Sequence, residues 1–367
     1  LICRVSNQKQ KMEENYSKDE NQKINDSNHT IVNNERLLNV FNLTNETFNS
    51  NKKNKDQKSN QWKEENLIPG YSAKKRIFNI RNLVNFREKN GLNIGINENS
   101  FSELNIEIIT KFTKALSEEY VLNNMPIKNI GNSPYSLHYK NHYLDLSSLT
   151  QLCWLKNLEP MFKEKNRYTP TNFCEIGGGY GNFASMLIRN HGLKFLSIEL
   201  PEASLMLSYF LKENFPDKKF FLYDDYMKNK FLSLEDFENN DIIILPPNSE
   251  IDNKIKIDFF INARSMMEMN TSIVKSYFEF INEYISDQGY FLNINRYEKR
   301  ILENPIKLWE YPYGEDWKVL VTSSSPAQEH IHFLLTQKTY ILNEKNINQA
   351  LIEIKEAVRK KPSLLGP

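Results

Sequence analysis

The chain has 367 residues and carries 47 basic against 46 acidic side chains, a net charge of +1. That length admits one large domain or two ordinary ones with a sizeable core. The charge balance excludes the electrostatic footprint of a nucleic-acid or anionic-membrane binder. Three cysteines, Cys3, Cys153 and Cys174, are too few and too scattered for a disulfide framework or a structural zinc site. The sequence has no run of about 18 apolar residues that would span a membrane. The opening Leu-Ile-Cys-Arg-Val-Ser has no initiator Met and lacks the apolar core of a secretory signal. A cytoplasmic protein is the expectation.

Residues 1–65 are dominated by Asn, Lys, Glu, Gln and Ser, with brief apolar patches such as Leu37 to Phe41. This composition buries too little apolar surface to offset chain entropy and predicts a flexible polar tail. The pattern over 66–165 is helical. Ser100 and Glu103 form a capping box ahead of an apolar stripe through Ile108, Ile109, Phe112, Leu116 and Tyr120. Gly131 to Tyr135 reads as a turn, and a second helix carries Leu149, Leu152, Leu155, Leu158 and Phe162. The segment is expected to be a helical cap and a candidate homodimer surface.

Over 166–343 strands and helices alternate, which predicts a mostly parallel sheet with helices on both faces. Strands are expected at Phe173 to Ile176, Phe195 to Ile198, Phe220 to Tyr223, Ile242 to Leu245, Phe259 to Ile261 and Tyr290 to Ile294. Helices are expected up to about Asn190, through Leu205, Tyr209 and Leu211, and with Ile273, Tyr277, Ile281 and Tyr284 on one face. Trp317 to Val321 and His330 to Leu335 are expected to pair antiparallel as the last two strands. An amphipathic helix through Ile347, Leu351, Ile354 and Val358 closes the chain within 344–367. The fold class is thus α/β and Rossmann-like, with an N-terminal helical domain.

Chemistry is concentrated in Cys174-Glu175-Ile176-Gly177-Gly178-Gly179-Tyr180-Gly181. A strand that turns sharply into a helix needs glycines where φ is positive or where a ligand approaches the backbone. A dinucleotide pyrophosphate favours bare amides at a helix N-terminus, and the carboxylate of Glu175 would repel it. The ammonium and sulfonium of S-adenosylmethionine would be attracted instead. Glu175, Gly177, Gly179 and Gly181 are therefore candidate cofactor-binding residues, and the bland alternative is a tight turn that binds nothing. Glu199 lies at the end of the next strand, 24 positions after Glu175, where doubly wound folds place an acid for ribose hydroxyls. Asp224, beside Asp225, would meet the adenine amino group if Phe220 to Tyr223 is the third strand. If Ile242 to Leu245 is the third strand, Pro246-Pro247-Asn248 takes that place.

Asn262 to Asn270 follows the fourth main strand and should line the cleft at the carboxyl ends of the strands. Asn262 is a candidate cofactor contact. Glu268, between Met267 and Met269, suits a base if its surroundings are apolar, and otherwise caps the helix that follows. Arg264 either orients an anionic group or pairs with a nearby acid. His330 and His332 project from one face of a strand as candidate bases or substrate contacts. Two ligands do not make a metal site, so no metal is expected. Asn293 and Asn295 also end a strand near the cleft.

Glu175 to Gly181, Ile198-Glu199-Leu200-Pro201-Glu202 and Asn262 to Met269 together resemble the sugar O-methyltransferase family, class I S-adenosylmethionine-dependent enzymes often associated with bacterial surface polysaccharides. Ser265-Met266-Met267-Glu268-Met269 looks like that family's Ser-x-x-Glu-Met signature. The likeness covers about 62–340. It implies cofactor roles for Glu175, Gly177, Gly179 and Glu199, and methylation of a hydroxyl on a sugar or glycan precursor. Plant-type small-molecule O-methyltransferases are more distantly similar. Their catalytic His after the fourth strand has no counterpart here, so that mechanism does not carry over. The rival readings are a non-catalytic S-adenosylmethionine-binding protein, a nicotinamide oxidoreductase and a methyltransferase on a non-sugar acceptor.

Overall fold

The computed structural model describes residues 115–366, apart from 134–135, 164–167, 300–304, 326–327 and 340–345, together with 37, 39, 40, 42, 43, 83, 85–89, 110 and 112. The capping box expected at Ser100 and Glu103 lies outside the described residues. Within the segment expected to be a flexible tail, Leu37 and Val40 are helical and buried in the main core. Their apolar side chains, three residues apart, meet the core on one helical face.

In chain order the elements are α1 (Phe86–Lys89), α2 (Glu118–Asn124), β1 (Leu137–Tyr139), β2 (His142–Leu144), α3 (Leu146–Lys163), β3 (Asn172–Ile176), α4 (Asn182–His191), β4 (Lys194–Ile198) and α5 (Pro201–Asn214). Next come β5 (Phe220–Phe221), α6 (Tyr223–Asn229), β6 (Phe231–Leu232), α7 (Leu234–Asn239), β7 (Ile242–Leu245), β8 (Glu250–Ile251) and β9 (Ile257–Ala263). The last are α8 (Thr271–Tyr284), β10 (Ile285–Arg296), β11 (Trp317–Ser325), β12 (Gln328–Lys338) and α9 (Ile347–Lys360).

Among the described residues the main sheet has eight strands in the order β5-β7-β4-β3-β9-β10-β12-β11. The first six are parallel, and β12 runs antiparallel between β10 and β11. This is the Rossmann-like sheet the sequence leads one to expect, with its last two strands paired antiparallel. Central strands of a parallel sheet are covered on both faces and read as apolar runs, as Ile242–Leu245 does, buried at every position. One face carries Phe173, Phe195, Phe259 and Tyr290 against α3, α4 and α5. The other carries Cys174, Leu196, Phe260 and Phe291 against α8 and α9. Alternate residues of each strand thus serve opposite layers.

Three details differ from the expectations. Leu137–Leu144 forms a β-hairpin rather than helix, because Lys140 and Asn141 both take positive φ, 46° and 64°, and make the two-residue turn that matches strand twist. Phe220 to Tyr223 yields only a two-residue edge strand, since Tyr223 opens α6. The buried face of α8 is Val274, Phe278, Ile281 and Tyr284, not Ile273 and Tyr277. The apolar positions of α3, Leu149, Leu152, Leu155 and Leu158, are buried in the chain's main core. No helix among the described residues is long and apolar enough to cross a membrane.

Candidate functional site

The site lies at the carboxyl ends of β3, β4, β9 and β10, where ligands bind in open α/β sheets. Glu175 stands near the end of β3, 2% exposed. Its Oε2 is buried with no hydrogen-bond partner. Burial, and then the neighbouring charge of Glu199, push its carboxyl up to about 8.

After β3 the chain turns through Gly177, Gly179 and Gly181 at φ of 70°, 64° and 86°. Two of these positions differ in what surrounds them. A Cβ on Gly181 would overlap Leu207 of α5, so this glycine permits close packing of turn and helix. A Cβ on Gly179 would meet nothing within 4 Å, so this glycine borders open space. The turn is held by backbone bonds: Gly177 N–H donates to the Ile198 carbonyl at 2.9 Å. Gly179 N–H donates to Glu199 Oε2 at 2.7 Å and Leu200 N–H to Glu199 Oε1 at 2.8 Å. Tyr277, expected on the apolar face of its helix but not at the site, feels the Glu199 charge from α8, and burial raises its hydroxyl pKa.

The turn also touches the N-terminal segment. Arg87 donates to Asp145 at 2.9 Å, both side chains being buried, and its guanidinium lies 5.3 Å from the Tyr180 ring centre. Asn182, the first residue of α4, donates to Ser148 of α3 at 3.1 Å.

The third-strand alternative is resolved by pairing. β7 lies next to β4, with Leu245 beside Ile198 and Glu199 N–H donating to the Leu245 carbonyl at 2.9 Å. Pro246-Pro247-Asn248 therefore follows the strand beside Glu199. Asp224 sits in the first turn of α6, past a strand one place farther out. Its candidate adenine contact is corrected accordingly.

Asn262 is fully buried and all its polar atoms are engaged. Its Nδ2 donates to the Ile176 carbonyl at 2.8 Å and Ser265 Oγ at 3.3 Å, while its Oδ1 accepts from Met266 N–H and Asn295 Nδ2. Asn295 in turn donates to Asn293 Oδ1 and accepts from Met267 N–H, and Asn293 donates to the Tyr313 hydroxyl. These amides hold the loop after β9 against the glycine turn, a positioning role rather than the cofactor contact expected for Asn262.

Glu268 ends a 3-10 turn, Met266–Glu268, in that loop. Its surroundings are cationic, not apolar as its methionine neighbours suggested, because Lys299 Nζ donates to Oε1. Arg264 and Arg296 also act on it electrostatically. Neither Lys299 nor Arg296 was singled out from sequence, although both lie at or just past the carboxyl end of β10. His332 is 5% exposed and bridges two strands, with Nε2 2.9 Å from Thr322 Oγ1 and Nδ1 3.1 Å from the Tyr297 hydroxyl. Burial pushes its pKa down to about 4, so the structure makes it a neutral strand link rather than a base. His330 is half-buried, its pKa lowered by burial and by Arg296 and Arg264.

No protein-family model matches the chain, and no curated protein matches it. Solved structures do. The pyocyanin biosynthetic protein PhzM is 9% identical over 52% of this chain and 57% of its own, with a TM-score of 0.32. Phosphoethanolamine N-methyltransferase 1 of Haemonchus contortus, with phosphoethanolamine and S-adenosylhomocysteine, is 13% identical over 58% of this chain and 48% of its own, TM-score 0.32. The mitomycin 7-O-methyltransferase MmcR is 12% identical over 53% and 54%, TM-score 0.33. The chain spans about half the length of these three structures. Likenesses this slight fix no function, and the fold rests on strand order and direction.

Proposed function

We propose that the chain is an S-adenosylmethionine-dependent O-methyltransferase whose donor sits across the carboxyl ends of β3 and β4. The observation that carries this reading is Glu175, a buried carboxylate with an unpartnered oxygen beside a glycine turn that borders open space. A buried acid with an unpaired oxygen is costly, and a cationic ligand removes that cost. A dinucleotide pyrophosphate would aggravate it.

The residues present fit such a donor. Glu175 would hold a cationic group. Gly179 leaves room for the ligand against the backbone. Each oxygen of Glu199 can accept more than one hydrogen bond, so the carboxylate anchored by Gly179 and Leu200 can also accept from ribose hydroxyls. The donor, when bound, supplies a methyl group activated by positive sulfur. The protein's part is to position the acceptor hydroxyl and take its proton. His330, its pKa lowered by burial and by Arg296 and Arg264, is the first candidate proton acceptor in this reading, and Glu268, ion-paired with Lys299, the second. The family resemblance favours a sugar or glycan-precursor hydroxyl as acceptor.

Calorimetry with S-adenosylmethionine and S-adenosylhomocysteine tests the donor. Incubation with labelled donor and a panel of nucleotide sugars and glycans tests the transfer. Binding with no demethylated product from any acceptor favours a non-catalytic donor-binding protein, and no binding overturns the proposal.

A further inference from the structure

Three neighbouring strands bring Arg264, Arg296 and His330 to one edge of the sheet. β9 and β10 are parallel, with Ile294 beside Ala263. Arg264, the residue after β9, and Arg296, the last of β10, therefore emerge together at the carboxyl ends. β12 runs antiparallel with Ile331 beside Arg296, which brings His330 to the same edge. Lys299 folds back to pair with Glu268, their side chains 9% and 15% exposed. Arg264, Arg296 and Lys299 interact electrostatically with one another and with Glu268. Among the described residues, Arg264, Arg296 and Lys299 thus converge with Glu268 in a partly desolvated corner of the cleft.

Arg264 is the telling residue. It takes φ of +68°, a left-handed conformation that costs a non-glycine residue about 1–2 kcal/mol. Its N–H donates to the Ile294 carbonyl at 2.7 Å. Its Nε is buried without a hydrogen-bond partner. Backbone strain, a buried unsatisfied donor and repulsion from Arg296 all fall on one side chain, and an anion between the two guanidiniums would relieve the last two. A neutral polyol supplies hydrogen bonds but no charge.

We propose that the methyl acceptor carries an oxyanion, phosphate or carboxylate, bound by the guanidiniums of Arg264 and Arg296 with Lys299 at its flank. Planar guanidiniums match both anions in two-point geometry. The inference rests on the reading above, in which the acceptor hydroxyl meets its proton acceptor, His330 or Glu268, at this corner. It narrows the acceptor to a hydroxyl compound bearing a negative group near the hydroxyl that is methylated.

The test is calorimetric titration of the full chain, saturated with S-adenosylhomocysteine, at constant ionic strength. One arm uses inorganic phosphate and pyrophosphate, the other acetate and citrate. Saturable binding in either arm is expected, and the stronger arm identifies the anion. Arg264→Gln and Arg296→Gln should each weaken it tenfold or more. Arg264→Lys, which keeps the charge but loses the fork, serves if the glutamine variant does not fold and should also weaken it. No binding in either arm, or binding unchanged in these variants, overturns the proposal. If S-adenosylhomocysteine itself does not bind, the methyltransferase reading fails, and the same anion titration on the free protein still decides whether the basic corner is a site.

Discussion

Gly179 donates its backbone N–H to Glu199 Oε2 at 2.7 Å, which ties the glycine turn to the end of the neighbouring strand. The turn and the candidate ribose acid are one structural unit. Glu199→Ala should therefore weaken donor binding twice over, by losing an acceptor for the ligand and by releasing the turn. We expect a loss of at least tenfold by calorimetry, with Glu199→Gln intermediate because its amide oxygen can still accept from Gly179.

Glu175 sets an opposition between stability and binding. Its carboxyl ordinarily titrates at 4.5 but in the fold at about 8. Between those pH values the folded state keeps a proton that the unfolded state has lost, so stability falls as pH rises, by up to about 1.4 kcal/mol per pH unit. Glu175→Gln should flatten this slope and raise the melting temperature of the ligand-free protein at pH 8. The same variant should bind S-adenosylmethionine far more weakly, while wild-type affinity rises from pH 6 to 8. A Gln variant with undiminished affinity would remove Glu175 as the cationic anchor.

Gly179 and Gly181 separate binding from folding. Gly179→Arg has space for its side chain and should fold, with a strain of about 1–2 kcal/mol, yet lose donor binding because the side chain fills the space beside the turn. Gly181→Ala drives a Cβ into Leu207 and should lower the melting temperature markedly. If Gly179→Arg binds the donor as wild type does, the ligand does not lie along the turn.

Glu268→Gln should leave donor binding intact. If Glu268 takes the proton, turnover falls by about 10²–10⁴, and His330→Gln has the smaller effect. Turnover unchanged in the first variant and lost in the second would assign the role to His330.

His332 gives the opposite pH signature to Glu175. Its pKa is depressed from 6.5 to about 4, so the stability it contributes is present above pH 6.5 and lost as pH falls through that window. Thermal melts of His332→Gln should show a weaker acid-side slope than wild type. Activity of the folded variant should change little, as befits a strand link.

The sheet was legible because its strands are apolar runs separated by turn residues, and the glycine turn after β3 was legible because glycines sit at alternate positions between a strand and a helix. The hairpin at Leu137–Leu144 was hidden by its lack of a glycine, since Lys140 and Asn141 adopt left-handed φ unaided. Asn262 read as a ligand contact because sequence shows position but not satisfaction: four internal hydrogen bonds leave it nothing to offer. Glu268 misled through its chain neighbours. Met267 and Met269 flank it in sequence, but Lys299, 31 residues away, decides its environment. Long-range charge pairing leaves no local pattern, whereas strand ends and glycine turns do.

Arg87, paired with Asp145 and lying over the Tyr180 ring, makes the glycine turn the joint property of two stretches of chain. A truncation that keeps only 166–343 would strip Asp145 and Ser148 from the turn and bare the layer of Phe173, Phe195 and Phe259. Such a fragment should be insoluble or donor-blind. The sheet of this protein is thus not a portable cassette, and grafting its glycine turn elsewhere would require the helix and buried arginine that brace it.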